Sequence, residues 1–598
     1  MENQIIAQHN NENRTYSTQN TLHTIKIMEN RLSEDQKDIL KRIWEPTVVE
    51  TPLADSRRDL CVLPNGEIRS YGSLYVNRHL SQDGQIAYLS STDCGLSWNI
   101  NYSHGKMNSC TYLEKADVYI TSCDIFNNNR GIDSGLYIYR SKIGPDDPDP
   151  EVIKISDGLY YDSYLPQQSF YTNRIWFTTQ KSGSTPTFCY SDDFGKTWTI
   201  REIKNPHNFE TVFPHKGLRW CKGSGAEPYA VELSSDKMMM IIRTPMDCFY
   251  KSYSYDGGDS WTEPEPSTFY GTDTTAFFLR LNDGRMITFW NNTKPLSQPN
   301  HKVTKPYAGK DVEEGEGENA FTNRDAAHAA ITEDGENFIG YREILLNEVR
   351  NNADFRYIGG AISSADKSVH QFQAFELPFN KVLVSVGQNK ASRRLVIFDV
   401  NWLYETSRSE DFINGMGGLT THTYLKSVSG CHLHQVGNGH CAWNRTYNAF
   451  PMPDPEGGYG EVLSISKHHD ERLFNDIGGV VWNFPASKKA RVSVTLKIAE
   501  KSARFILSDR WYNTCDPYAS FHSPFWFELD AEDVGEGFVT INIDYDTEKG
   551  EATVLIEDSL IFKVAATKPC PTGISYLILQ CATDGDSSGF FVKKLEKE

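Results

Sequence analysis

From about residue 50 onward the chain is written in short apolar or alternating runs: LCVLP, QIAYLSS, RIWFTTQ, MMMIIR, AFFLRL, RMITFW, KVLVSV and RLVIFDV. Gly, Asn, Asp and Pro separate them. Runs of this length and period, broken by turn-forming residues, predict many short antiparallel strands. One stretch before them has a different period. In Leu32–Trp44 (LSEDQKDILKRIW) the residues Leu32, Ile39, Leu40 and Ile43 share a helical face, Ser33 stands at the N-cap, and Gln36 three residues later supplies a capping box. A short helix packed on the outside of the β structure is expected there. Residues 1–30 read as a polar, mostly disordered lead.

The strand region is punctuated by a repeat of the form Ser/Thr-x-Asp-x-Gly-x-Ser/Thr-Trp. It occurs at Ser91–Trp98 (with Cys94 where Gly or Asp is usual), Ser191–Trp198 and Ser254–Trp261, and in a worn copy, TEDGENF, at Thr332–Phe338. The chemistry of the box is that of a hairpin turn: Asp accepts backbone N–H groups, Gly takes a positive φ, and Trp folds back on the sheet. The box aspartates are therefore read as structural. Repeats of this kind mark propeller blades. The interval between the first two boxes has room for two blades, the box-less one lying around Gly135–Lys142, and the last blade spans Phe372–Tyr404. About six blades fit. The expected organisation is all-β: a lead with a helix at 1–49, a six-bladed β-propeller at 50–405, a linker at 406–455, and at 456–598 a β-sandwich of jelly-roll type, argued from clean period-2 alternation. The linker is rich in Gly, His and Asn. Its His432, His434 and His440 satisfy no structural metal spacing and read as polar loop contacts.

Length and charge narrow the function. A chain of 598 residues admits two or three domains. A formal charge of −19 with no Lys/Arg-rich run argues against a nucleic-acid partner. It does not argue against an anionic substrate, since a local arginine cluster overrides the global field. The 12 cysteines are irregularly spaced and suggest neither a disulfide framework nor a zinc site. No run of about 18 apolar residues predicts a membrane span. The first 20 residues lack the apolar core of a signal peptide, so the cytoplasm is the default location, with secretion left open if a leader has been removed.

The chemistry concentrates in one stretch. Glu227 is followed by Val231-Glu232-Leu233 and, 16 residues beyond it, by Arg243. Together with the boxes, this stretch resembles the sialidase (neuraminidase) superfamily, six-bladed exo-glycosidases, over roughly residues 55–405. The resemblance implies an arginine triad that grips a substrate carboxylate: Arg57 or Arg58, Arg243, and Arg324 of the Asn323-Arg324 segment. It implies Asp83, a few residues after Arg78, as acid/base, and Glu227 as the group that polarises a nucleophile. Three guanidiniums fix a carboxylate bidentately, and an oxocarbenium-like transition state needs a nearby anion and a proton donor. One place departs from the family. Where the nucleophilic Tyr is expected, the chain has Gln371, with His370 beside it, and an amide is no glycosyl nucleophile. Three outcomes follow: Tyr357 reaches in from the preceding loop, His370 acts as base or nucleophile in an inverting or eliminating reaction, or the site binds without turnover. The expected activity is an exo-acting, sialidase-like hydrolase on a carboxylate-bearing sugar, needing no metal or organic cofactor. Its rivals are a lyase on uronate glycans and a non-catalytic carbohydrate-binding propeller. An acidic glycan or glycoside is the expected partner, neither nucleic acid nor membrane is, and a homo-oligomer is left open.

Overall fold

A computed structural model describes residues 21–52, 60–71, 85–125, 133–182, 185–204, 227–244, 248–271, 274–294, 324–346, 369–387, 392–424, 445–458, 460–467, 470–471, 473, 475–499, 503–581 and 589–598. The chain is all-β. Among the described residues no helix is long and apolar enough to cross a membrane.

Six antiparallel sheets succeed one another along the chain. The first runs through Leu60–Val62, Ile68–Tyr71, Ile86–Ser91 and Asn99–Ser103, and the second from Thr111–Leu113 to Glu151–Asp157. The third starts with the short strands Tyr160–Tyr161 and Gln167–Gln168. The fourth runs from Tyr229–Ser234 to Glu265–Tyr270, and the fifth from Phe277–Arg280 to Phe338–Leu346. The sixth holds Gln373–Leu377, Lys381–Val386 and Arg394–Asp399, and its fourth strand is Thr47–Glu50 from the other end of the chain. The expected boundary at residue 50 therefore cuts through a strand of the sixth sheet.

Polar ties join each sheet to the next. Arg69 reaches Asp146 (2.9 Å), Thr111 donates to the Pro166 carbonyl (2.6 Å), Gln167 to Ala230 O (3.1 Å), and Tyr229 to Phe278 O (3.2 Å). Asn282 N donates to Glu376 (2.7 Å), and Leu60 N to the Gln373 side chain (2.8 Å), which returns the series from the sixth sheet to the first. One cavity takes lining from the leading strand region of all six sheets, including Val62, Thr111, Gln167, Tyr229, Phe277 and Gln373.

The boxes form the turns expected of them. At the first, Ser91 Oγ donates to Asp93 Oδ1 (2.8 Å), Ser97 N and Oγ donate to the same carboxylate (2.9 and 2.6 Å), and the Trp98 ring N–H reaches Gly95 O (2.9 Å). The worn box repeats the scheme on Asp334, with Phe338 packed edge-on against Phe269 in place of the tryptophan. The box-less second sheet has a disguised version. Ser141 Oγ donates to Asp147 (2.6 Å) and accepts from Ile143 N and Gly144 N (2.9 and 3.0 Å), while Asp147 accepts from Asp149 N (2.9 Å).

The helix at Glu34–Arg42 has the Ser33/Gln36 capping box expected of it. A second helix, Leu22–Arg31, lies within the stretch expected to be disordered. Thr21 caps it, and its buried Met28 packs against the turn at Gly66. The segment 406–455 is more than a linker. Arg408–Glu410 pairs with Phe590–Lys597, Leu419–Thr420 pairs with Gly478–Ser487, His422–Tyr424 pairs with Arg445–Tyr447, and Ala449–Pro453 edges a large sheet. The C-terminal module thus begins near residue 408. It contains an eight-stranded and a five-stranded antiparallel sheet. Side chains of both, such as Val492, Val494 and Ile541 from one and Trp482, Phe505 and Leu579 from the other, meet in a single core. Alternation along Lys489–Ile498 buries Val492, Val494, Leu496 and Ile498. His432, His434 and His440 lie outside the described residues.

Candidate active site

The spacing of Glu227 and Arg243 is set by a hairpin. Strands Tyr229–Ser234 and Lys237–Ile242 pair with Tyr229 opposite Ile241 and Ala230 opposite Met240. Continuing that register by two residues places Glu227 opposite Arg243, where cross-strand side chains meet. Glu227 Oε2 accepts a charge-assisted hydrogen bond from Arg243 Nη1. Glu227 is buried and has a positive φ of 60°, a conformation costly for a residue with a Cβ.

Arg324 leads into the third strand of the fifth sheet and is 1% exposed. Its Nη1 lies 3.0 Å from His370 Nε2. A guanidinium has only donors, so His370 Nε2 must be the acceptor; the ring is then neutral with its proton on Nδ1. Asn291, at the end of the preceding strand, donates from one amide to both Ala326 O and Val369 O (2.8 Å each), and Val369 N donates to Arg324 O (2.8 Å). This clip holds the arginine and the histidine segment together. Gln371 follows, buried and at a positive φ of 66°, and its side-chain oxygen has no hydrogen-bond donor among the described residues.

The sequence reasoning overlooked Arg393. It precedes the third strand of the sixth sheet much as Arg324 precedes that of the fifth. It is 1% exposed, with Nη2 3.1 Å from Ser385 Oγ and Nη1 3.5 Å from the Tyr71 carbonyl of the first sheet. The pair Arg393-Arg394 at the start of RRLVIFDV was the available clue. Glu227, Arg243, Arg324, His370, Gln371 and Arg393 all stand where first strands begin, second strands end or third strands begin in sheets four to six. In antiparallel sheets those positions share one edge, opposite the boxes. Arg57, Arg58, Arg78, Asp83 and Tyr357 lie outside the described residues. Among the described residues no group of three or more His, Cys, Asp or Glu side chains could hold a metal ion.

This arrangement can hold an anion. A guanidinium presents a planar fork of donors that pairs well with a planar carboxylate. It also limits His370: with Nε2 occupied by Arg324 and Nδ1 protonated, the ring has no lone pair left to take a proton.

Comparison with known proteins agrees with the box pattern. Residues 170–357 match the BNR repeat-like domain. The matched stretch contains the boxes at Ser191–Trp198, Ser254–Trp261 and Thr332–Phe338. A stretch of 102 residues, 17% of the chain, is 29% identical to the anhydrosialidase of Macrobdella decora, of whose length it spans 11%. Among solved structures, the sialidase of Trypanosoma rangeli in complex with the inhibitor DANA aligns over 94% of this chain and 95% of its own, at 10% identity and a TM-score of 0.32. A protein of unknown function from Dyadobacter fermentans aligns over 60% of this chain and 97% of its own, at 15% identity and a TM-score of 0.34.

Proposed function

We propose that the protein is an exo-acting, sialidase-like glycoside hydrolase whose substrate sugar carries a carboxylate. The series of ties that returns from the sixth sheet to the first, and the cavity shared by all six, support a six-bladed β-propeller. The common core of the two C-terminal sheets supports a β-sandwich of jelly-roll type. The observation that carries the functional reading is the pairing of Glu227 with Arg243 on the same edge of the sheets as buried Arg324. In this reading Arg243 and Arg324, with Arg57 or Arg58, clamp the substrate carboxylate, and Arg78 adds a further contact to the substrate. Asp83 gives its proton to the leaving oxygen. Glu227 polarises the attacking group, which is Tyr357 or water. His370 orients Arg324 instead of acting as base. Gln371 offers its amide oxygen, which has no donor among the described residues, to a substrate hydroxyl.

A second reading is binding without turnover, and Gln371 in the place of the family's tyrosine favours it. Wild type and Glu227→Gln should be incubated with sialosides, deaminated sialosides and uronate oligosaccharides, and the products weighed by mass spectrometry. The proposal expects release of a terminal acidic sugar by wild type and a rate at least about 100-fold lower in the variant, the scale of losing an electrostatic stabiliser. Unaltered turnover in Glu227→Gln removes the assignment. Binding with no product supports the second reading, and a product absorbing in the ultraviolet indicates elimination.

A further inference from the structure

The residue after Arg324 is tied to the other module. Asp325 is wholly buried. One of its carboxylate oxygens accepts from the Tyr424 hydroxyl and the other from Arg445 Nη2, while His422 Nε2 lies 3.7 Å away. All three partners belong to the ribbon His422–Tyr424/Arg445–Tyr447, whose register sets Tyr424 opposite Arg445. The Arg324 guanidinium meets His370 while the Asp325 carboxylate meets the ribbon, and a single peptide unit joins them.

We propose that the C-terminal module sets the position of Arg324, with Asp325 as a positioning residue held by Tyr424 and Arg445. The inference rests on the reading of Arg324 as a carboxylate ligand. Three features support it. Among the described residues Asp325 is the only ion-pair partner of Arg445, whose side chain is fully buried and whose Nε and Nη1 have no hydrogen-bond partner. A buried ion pair is a poor way to glue two modules, because apolar packing does as well without the desolvation. The seam already has such packing, in the cluster of Ala326, Trp511, Tyr512 and Tyr576. What an ion pair adds is direction: a carboxylate held by two donors on separate oxygens leaves its backbone little freedom to rotate. The neighbouring carbonyls are fixed as well, Arg324 O by Val369 N and Ala326 O by Asn291. The guanidinium one residue away is thus aimed from both sides.

The test uses the full chain with Tyr424→Phe, Arg445→Lys and Asp325→Asn. Affinities for methyl α-sialoside and for its uncharged methyl ester are measured by calorimetry, with crystal structures of Tyr424→Phe and Asp325→Asn. Tyr424→Phe keeps the ion pair, so it should fold. It is expected to lose about tenfold in affinity for the acid, the scale of one charge-assisted hydrogen bond, and little for the ester. Arg445→Lys should retain most of the acid affinity. In the structures the 3.0 Å contact of Arg324 with His370 should be broken. Equal losses for acid and ester, or an intact contact in both structures, would overturn the inference. If wild type binds no acid at all, the functional reading fails, and the crystallographic arm still decides whether Asp325 positions Arg324.

Discussion

Glu227 and Gln371 are two of eleven described non-glycine residues with positive φ, and both stand at the candidate site. Such backbone costs about 1–2 kcal/mol for an L-residue and persists where the side chain is wanted at that spot. Gln371 also keeps a buried carbonyl oxygen without a donor among the described residues, a further cost of about 1–3 kcal/mol. Replacing it with glycine removes both penalties. Gln371→Gly is therefore expected to unfold at the same or a higher denaturant midpoint, while its affinity for the acidic sugar falls about five- to tenfold, the scale of one hydrogen bond. A clear loss of stability would mean that Gln371 serves the core instead of a ligand. Arg324 makes the complementary case. Lysine keeps the charge but not the planar fork, so Arg324→Lys should weaken binding of the acid about 10- to 100-fold; calorimetric titration checks it, and an unchanged affinity would take Arg324 out of the clamp. That Glu227 and Arg243 meet was legible in the sequence because one hairpin separates them, whereas Arg324 was expected from the family resemblance. Asp325 was not, since its partners Tyr424 and Arg445 lie 99 and 120 positions away. Arg393 was missed because nothing in a single Arg-Arg pair says which guanidinium turns inward.

The β-hairpin explains why the Glu227–Arg243 spacing could be read at all: once Tyr229 faces Ile241, the pair two residues outward is fixed. The boxes are legible for the same reason, being turns whose hydrogen bonds are all local. Asp193, Asp256 and Asp334 are held low. Partial burial pushes upward, but the Ser260 hydroxyl and backbone N–H bring Asp256 to about 2. In the worn box burial again pushes upward, and Asn337 brings Asp334 to about 2. A depressed carboxylate stabilises the fold above its unfolded value of 3.8 and loses that contribution as the pH falls toward 2. The Ser141–Asp147 turn escaped notice because residues 142–146 separate its serine from its aspartate, where a regular box has a single residue between them. If it is the same device, Asp147→Ala should cost about 1–3 kcal/mol in urea unfolding, comparable to Asp256→Ala; a loss below about 0.5 kcal/mol would make the turn incidental. The Leu22–Arg31 helix was hidden by weak amphipathicity, with only Thr24 and Met28 buried. The strands of the supposed linker were hidden by length. Leu419–Thr420 has two residues and Arg408–Glu410 three, too few for any period to register.

At the scale of the whole molecule the two modules are sewn into one body. Asn292 donates to Asp509 O (2.9 Å), Trp511 N to Asn292 O (2.9 Å), and Lys294 N to Trp511 O (3.0 Å). Beside this stitch runs a chain of neutral donors. Asn292 N donates to His328 Nδ1 (3.0 Å), so the His328 proton sits on Nε2, which faces the Tyr576 hydroxyl at 2.5 Å; Tyr576 in turn donates to Glu343 (2.6 Å). Burial presses His328 down to about 3 and lifts Glu343 to about 7. The signs oppose. A histidine kept neutral stabilises the folded state above its unfolded value of 6.5, and this is lost as the pH falls toward 3. A carboxylate lifted by burial costs stability as the pH rises from 4.5 toward 7. Between about pH 4.5 and 6.5 the two largely cancel in the wild type, so a flat stability profile there would conceal both. His328→Gln separates them, because its amide can still donate to Tyr576 but does not titrate. The stability of wild type relative to this variant should grow as the pH rises from about 3 to 6.5, by at most roughly 1.4 kcal/mol per pH unit, and level off above. Urea unfolding of both proteins across that range reads the difference directly. A difference that does not change with pH would show that His328 is already charged in the folded seam, and that the chain from Asn292 to Glu343 is wired in another sense.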